Sequence, residues 1–353
     1  MTSNVDFSTP SATLLSMELD EITFSGLTAG ERLAMEFTVS AGSTELDSWS
    51  ATYYADNRGN IHLTALGRMW NRYFLAYRRL SGDEDSSPQN HPDMLTVEMS
   101  YTMEDDTTAS CQRHLYYSRR NADVALSQLL YKMPLIVKNK VTVLGAKELA
   151  WVIPTVSSVT LKVVASYVLN NTMSSYQGNI TWSGSSSSGG SADVSPSVIA
   201  ALLPTGSKLV RYTAAIIHNG AESDICRFEV DHGATLRAEF FWLNRWGVYE
   251  SLVMRGTETQ SPVRSAQYGW AGEEWSALDL EVNDDLQVST GYVGDREWLQ
   301  MRDMAESPIV WLWDGAWHKV TVTDVKLDRT KPSNEARACM VTYRHADREA
   351  VFR

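Results

Sequence analysis

The chain has 353 residues, enough for two or three domains. Hydrophobic residues make up 43% and charged residues 21%, a globular balance that excludes a wholly disordered chain. The formal net charge of −12 gives no general attraction for phosphate backbones and argues against sequence-specific nucleic-acid binding.

The N-terminus, MTSNVDFSTPSATLLSMELDE, has no basic segment followed by a continuous apolar one, so no signal peptide is expected. No run of about 18 apolar residues predicts a membrane span. Cys111, Cys226 and Cys339 are odd in number and far apart, which argues against a disulfide framework. Asn170-Asn171-Thr172 and Asn179-Ile180-Thr181 match the glycosylation pattern and read as chance matches without an export signal.

Along the chain, the dominant pattern is alternation with period two. Leu33, Met35, Phe37 and Val39 interleave with polar or small residues, as do Leu95, Val97, Met99 and Tyr101, and then Val159, Leu161, Val163, Ala165 and Tyr167. Successive side chains of a strand point to opposite faces, so each run buries one face and wets the other, as antiparallel sheets commonly do. Helices are few. Thr64 to Leu80 carries Leu66, Met69, Trp70, Tyr73, Phe74 and Tyr77 in one apolar stripe, with Arg68, Arg72 and Arg79 away from it. A short helix is expected from Asn121, holding Val124, Leu126 and Leu129. Another is expected from Asp295, as N-cap, to Ser307 before Pro308, with Trp298, Met301 and Ala305 on one face.

Gly82 to Asp93 reads as an acidic, solvated loop, and the Gly/Ser-rich stretch Ser183 to Ser197 as a mobile tip between strands. Pro154 marks one domain boundary and residues 256 to 262 a second. The expected fold is therefore mainly β: antiparallel β-sandwich or β-barrel-like domains with two or three short amphipathic helices. The expected domains are 1–153, 154–258 with the Gly/Ser loop at 183–197, and 259–353, the last of which can be continuous with its predecessor.

Two aromatic hairpins stand out. Leu236 to Leu243 and Val248 to Met254 read as strands around Asn244-Arg245-Trp246-Gly247, with Asn at the first and Gly at the fourth position of a turn. Phe240 and Trp242 point one way, Phe241 and Leu243 the other. Both faces are thus covered, by the fold itself, by another subunit, or through use of the rings as a sugar platform. Ile309 to Leu327 holds an Asp314-Gly315 turn flanked by Trp311, Trp313 and Trp317. Phe241, Trp242, Arg245, Trp246, Tyr249, Trp311, Trp313 and Trp317 are the candidate interface or binding residues.

Catalytic signatures do not emerge. There is no nucleophile elbow, P-loop or dinucleotide fingerprint. Cys111 and His114 form a lone C-x-x-H that cannot close a tetrahedral zinc site. Glu273-Glu274 and Asp284-Asp285 read as solvated turns rather than facing catalytic carboxylates. Glu281 to Gln287 is acidic but lacks the spacing of a calcium loop. No catalytic residue, metal or cofactor is expected. A hydrolase built from distant loops stays as an alternative.

FFWLNRWGVYESLVMRGTE, then DREWLQMRDMAESPIVWLWDG, then HKVTVTDVKL resemble uncharacterised structural proteins of Bacteroidetes phages and prophages, which often show an F-x-W-L-N-x-x-G-x-x-E hairpin. The likeness covers mainly residues 208 to 346, with an echo in YYADNRGNIHLTALGRMW. It implies a virion protein of the tail, at the tail tip, baseplate or another tail-associated position, assembled in the host cytoplasm. Implied partners are further copies of the chain and other tail proteins. The alternative is a carbohydrate- or receptor-binding module that meets a host-surface glycan. The resemblance carries over no functional residue.

Overall fold

A computed structural model of the chain describes residues 1–80, 88, 94–120, 139–142, 148–151, 158–183, 190–218, 220–223, 225–232, 238–247, 249–271, 274–327 and 337–346. The expected Asn121 helix and nearly all of the 82–93 loop lie outside these residues, as do Pro154 and 184–189.

The protein is mainly β and mostly antiparallel. An N-terminal five-stranded sheet runs in the order Ser11–Leu15, Thr108–Tyr116, Met94–Met103, Arg32–Ala41, Thr44–Tyr54. The alternating residues do what their period dictates: Leu33, Met35, Phe37, Val39, Leu95, Val97 and Met99 are all buried. Each such side chain contributes about 1.5–3 kcal/mol by leaving water. Helix α1, Leu66–Leu80, closes this face with Trp70 and Phe74. The Trp70 indole N–H donates to the Leu19 carbonyl at 3.1 Å, so the buried ring keeps its polar atom satisfied. Phe37 and Tyr73 stack on Trp49 at 5.0 and 6.2 Å. Two exceptions to antiparallel pairing exist among the described strands: Ser11–Leu15 runs parallel to Thr108–Tyr116, and Asn139–Thr142 to Cys226–Asp231.

The middle sheet is ordered Thr172–Ser183, Ser158–Leu169, Lys208–His218, Cys226–Asp231, Asn139–Thr142, with Ala221–Glu222 added on Lys208–His218. Asn170 and Asn171 both take positive φ, 50° and 61°, in the tight turn of its first hairpin. Two adjacent left-handed residues match the right-handed twist of the flanking strands, and Asn tolerates that conformation. Their conformation thus gives the Asn pair a structural role. The tip expected at Ser183 to Ser197 is shorter than that span. Gly190–Asp193 forms a strand with Glu148–Trp151, and Pro196–Ala200 forms a short helix, α2, with Pro at its start. Asn139–Thr142 and Glu148–Trp151 pair within this middle region rather than with the N-terminal sheet.

The third sheet has seven strands, in the order Tyr249–Met254, Ala238–Leu243, Val310–Trp313, Trp317–Lys326, Arg337–His345, Glu274–Val293, Glu258–Ala271. It crosses the boundary expected at 256–262, because strands on both sides of that stretch belong to it. Helix α3, Asp295–Ala305, lies against one face through Met301 and Met304. Gly294 rather than Asp295 caps it, donating its N–H to the Glu297 carboxylate at 2.6 Å. Ala305 is exposed, so the buried stripe is Met301 and Met304 with Asp303 beside them.

Candidate functional site

The aromatic hairpin is an interior element. All six residues of Ala238–Leu243 are buried, because Tyr249–Met254 pairs on one side and Val310–Trp313 on the other. Its turn forms as the residue types predict. Gly247 donates to the Asn244 carbonyl at 3.1 Å with φ +77°, and Trp246 N–H reaches the Asn244 side-chain oxygen at 2.9 Å.

The two faces of this strand serve different cores. Phe240 and Trp242 pack with Met301, Met304 and Tyr343 on the α3 side. Phe241, Leu243, Tyr249 and Trp311 join the N-terminal core with Trp70 and Phe74, and Trp313 and Trp317 pack partly buried at its margin. Phe241 meets Trp317 edge to face at 4.7 Å, and Trp317 meets Trp313 at 4.9 Å. Lys319 lies over Trp311 at 5.4 Å, and Arg78 over Tyr249 at 5.8 Å. Double-sided apolar patterning thus has an intramolecular cause: the strand is sandwiched between two layers of its own chain. Phe241, Trp242, Tyr249 and Trp311 have no surface to offer, which corrects the expectation of a contact surface on them. Trp246, Trp313 and Trp317 are half-buried beside them.

Arg245 is drawn into a charged cluster that ties the N-terminal sheet to α3. Its Nε sits 3.3 Å from Asp303, whose carboxylate also pairs with Arg119 at 2.9 Å. Trp242 Nε1 donates to the same carboxylate at 3.2 Å. Arg120 binds both oxygens of Glu306 at 2.9 and 3.0 Å. Partial burial pushes the Glu306 carboxyl up. The Arg120 hydrogen bond and the charges of Arg120, Arg119 and Arg302 outweigh that and hold it below the ordinary range. Every cation here has a carboxylate on its own chain, so the cluster is structural.

The titratable and nucleophilic groups named above are scattered. Cys111 and His114 sit on one strand with opposite parity. Cys111 is buried and its thiol is pushed up by burial, whereas His114 pairs with Thr96 at 3.1 Å. Asp314 and His318 form an exposed pair at 3.2 Å, with the His345 ring 5.0 Å from that of His318. No group of three or more His, Cys, Asp or Glu able to hold a metal occurs among the described residues. Asp284-Asp285 lie within a strand, which corrects their reading as a solvated turn, and residues 281–287 belong to the same strand. Asp285 pairs with Arg344.

The exposed aromatics are elsewhere. Glu258–Ala271 and Glu274–Val293 pair with each other from Glu258↔Val288 out to Ala271↔Glu274. The neighbouring strand Arg337–His345 pairs only with residues 286–293. Beyond that point the two strands run as a ribbon with no third strand among the described residues. From Ser261 to Trp270 it extends about 30 Å at 3.3 Å per residue. Its base is anchored by Arg344 on Asp285 and by Tyr343, which donates to Glu258 at 2.8 Å. Pro262 is tolerated on this outer strand because an edge position need not donate.

At the far end Trp270 and Trp275 face each other across the ribbon. They are 68% and 60% exposed, with centroids 5.4 Å apart and planes at 71°, and Tyr268 behind them is 53% exposed. The register, with one bulge at Gln267/Tyr268, places Tyr268 and Trp270 on the same face as Trp275. None of these was among the residues singled out from sequence. The signal was the Trp270–Trp275 spacing around Ala271-Gly272-Glu273-Glu274, and the bulge hid the alternation that follows it.

No protein-family profile matches the chain, and no curated protein matches it. Among solved structures, the periplasmic chaperone SfaE aligns at 10% identity and a TM-score of 0.20 over 63% of this chain and 97% of the chaperone. Trypsin-activated alpha-2-macroglobulin from Escherichia coli aligns at 10% identity and a TM-score of 0.19, over 98% of this chain and 23% of that one. Salmonella alpha-2-macroglobulin reacted with methylamine aligns at 12% and 0.19, over 91% and 24%. Thus the chain spans about a quarter of the length of either macroglobulin. Scores this low carry no argument about function.

Proposed function

We propose that this chain is a structural component of a bacteriophage tail, at the tail tip, baseplate or another tail-associated position, and that it works by assembling with its neighbours through the two-stranded arm. The observation that carries the assembly reading is the exposed Trp270–Trp275 pair at the end of that arm. An isolated two-stranded ribbon is marginally stable in water, and large exposed rings at its tip gain free energy when a neighbour covers them. The hairpin and Trp311 rings supply rigidity instead, fusing the N-terminal sheet to the seven-stranded one. The resemblance in residues 208 to 346 supplies the tail context. In this reading the chain performs no catalytic step, is made in the host cytoplasm and ends in the virion.

The test is mass spectrometry and gold-labelled electron microscopy of purified particles of the phage that encodes the chain. Label on the tail is the expected result. A particle that lacks the protein overturns the tail assignment.

The same exposed pair favours a second reading, glycan binding, since tryptophan faces stack on sugars. Rings set at 71° form a cleft rather than a flat platform. A glycan array separates the readings: binding lost on Trp270→Ala, by a protein that never self-associates, selects the second.

A further inference from the structure

We infer that the arm of one copy docks on helix α1 of a second copy, head to tail. The inference rests on the assembly reading above and names the partner surface.

Charge selects the occupant. Residues 261–285, which make up the arm, hold six acidic residues and one arginine. Two arms packed face to face would set like charges against each other, which penalises a symmetric arm-on-arm contact. Helix α1, Leu66–Leu80, is the opposite case: Arg68, Arg72, Arg78 and Arg79 with no acidic residue. Arg78 is buried against Gly247 and Tyr249. Arg68 and Arg72 are exposed one turn apart, and among the described residues neither makes a hydrogen bond or ion pair. Arg119 and Arg120 are already occupied by Asp303 and Glu306, and Arg113 by backbone carbonyls. Arg68 and Arg72 are therefore unspent charge on an otherwise acidic protein.

The aromatic tip fits the same surface. Exposed Ala76 follows Arg72 by one turn on the outer face of α1, so a methyl group lies next to the guanidinium planes. A guanidinium stacks on an indole face and pairs with a carboxylate through its edge, so Arg68 and Arg72 can take Trp270 or Trp275 and Glu274 together. Donor and acceptor surfaces are different patches of one chain, so the contact is heterologous. Such contacts propagate into a ring when the rotation closes and into a filament when it does not.

The experiment uses two full-length double variants, followed by light scattering after size exclusion. Trp270→Ala/Trp275→Ala has a silent arm and an intact helix. Arg68→Glu/Arg72→Glu has an intact arm and a silent helix. All four positions are exposed or lie on an exposed face, and unchanged urea unfolding curves confirm that both variants fold. The expected result is that the wild type assembles beyond the monomer and loses that assembly as salt rises, since the contact is charged. Each variant alone is monomeric, and an equimolar mixture gives a one-to-one dimer that grows no further. If Arg68→Glu/Arg72→Glu still assembles while the tip variant does not, docking on α1 is overturned and arm-led assembly stands. A wild type that stays monomeric at every concentration, or a mixture that stays monomeric, also overturns the inference, while particle labelling decides the tail assignment separately.

Discussion

Trp242 and Arg119 converge on one carboxylate: the indole N–H donates to Asp303 Oδ2 at 3.2 Å and the guanidinium to Oδ1 at 2.9 Å. Trp242 belongs to the aromatic hairpin, Arg119 to the segment leaving the N-terminal sheet, and Asp303 to α3. Three parts of the fold therefore meet at a single buried anion. An ionised carboxylate at that depth needs every partner it has, because desolvation is repaid only by close charge and hydrogen bonds.

Removing that anion strips Arg119 of its closer counter-charge and leaves it only the Glu306 carboxylate at 3.7 Å. Asp303→Ala is expected to destabilise the protein by about 3 kcal/mol, at the low end for a broken buried pair because Arg245 can turn to solvent. Asp303→Asn keeps the Trp242 contact and is expected to cost less. Urea unfolding of the two variants against wild type measures the difference, and equal costs would show that charge is irrelevant there.

Buried and exposed aromatics are expected to behave oppositely. Phe241 fills the N-terminal core beside Trp317, and Phe241→Ala is expected to cost about 3 kcal/mol or more through the lost contacts and the cavity. Trp270→Ala removes an exposed ring and is expected to change stability by no more than about 0.5 kcal/mol. Thermal and urea unfolding in parallel test the contrast.

Gly247 is favoured for two reasons at once. Its φ of +77° is unfavourable for an L side chain, and a Cβ there would stand 3.1 Å from the Tyr117 Cβ. Gly247→Ala is expected to destabilise by about 1–2 kcal/mol from the backbone alone, with the close approach adding to it. By contrast, a Cβ on Gly30 meets nothing within 4 Å. Gly30 also has positive φ, so Gly30→Ala isolates the backbone share in the same assay.

His114 gives the molecule an acid sensitivity. Burial lowers its pKa from the ordinary value, so the folded state prefers the neutral ring. Below about pH 6.5 the unfolded chain takes up a proton that the folded chain resists. The stability contributed by His114 is thus fully present above that pH and is lost as pH falls toward the depressed folded value. Urea unfolding at about pH 8 and about pH 5.5 should show a larger loss for wild type than for His114→Gln. Equal losses would place the sensitivity elsewhere.

Local rules were enough for much of this protein. Leu33 to Val39 and Leu95 to Met99 alternate with period two, and a strand has no other way to hide them, so the β class was legible. Helix α1 followed from Trp70 and Phe74 recurring one turn apart, and the turns from Asn244…Gly247 and Asp314-Gly315, because those residue types relieve a specific backbone conformation. What covers a strand is a different question, set by elements distant in the chain. Sequence showed that Phe240 to Leu243 was apolar on both faces. Only the tertiary structure decided that α3 lies on one side and the N-terminal core on the other, which removed Phe241, Trp242, Tyr249 and Trp311 from any outer surface. Likewise the exposure of Trp270 and Trp275 follows from where the pairing of the third strand ends, at residue 286. Side-chain period is a property of the backbone and travels with the sequence; exposure depends on where the neighbouring strand ends, and no local pattern records that.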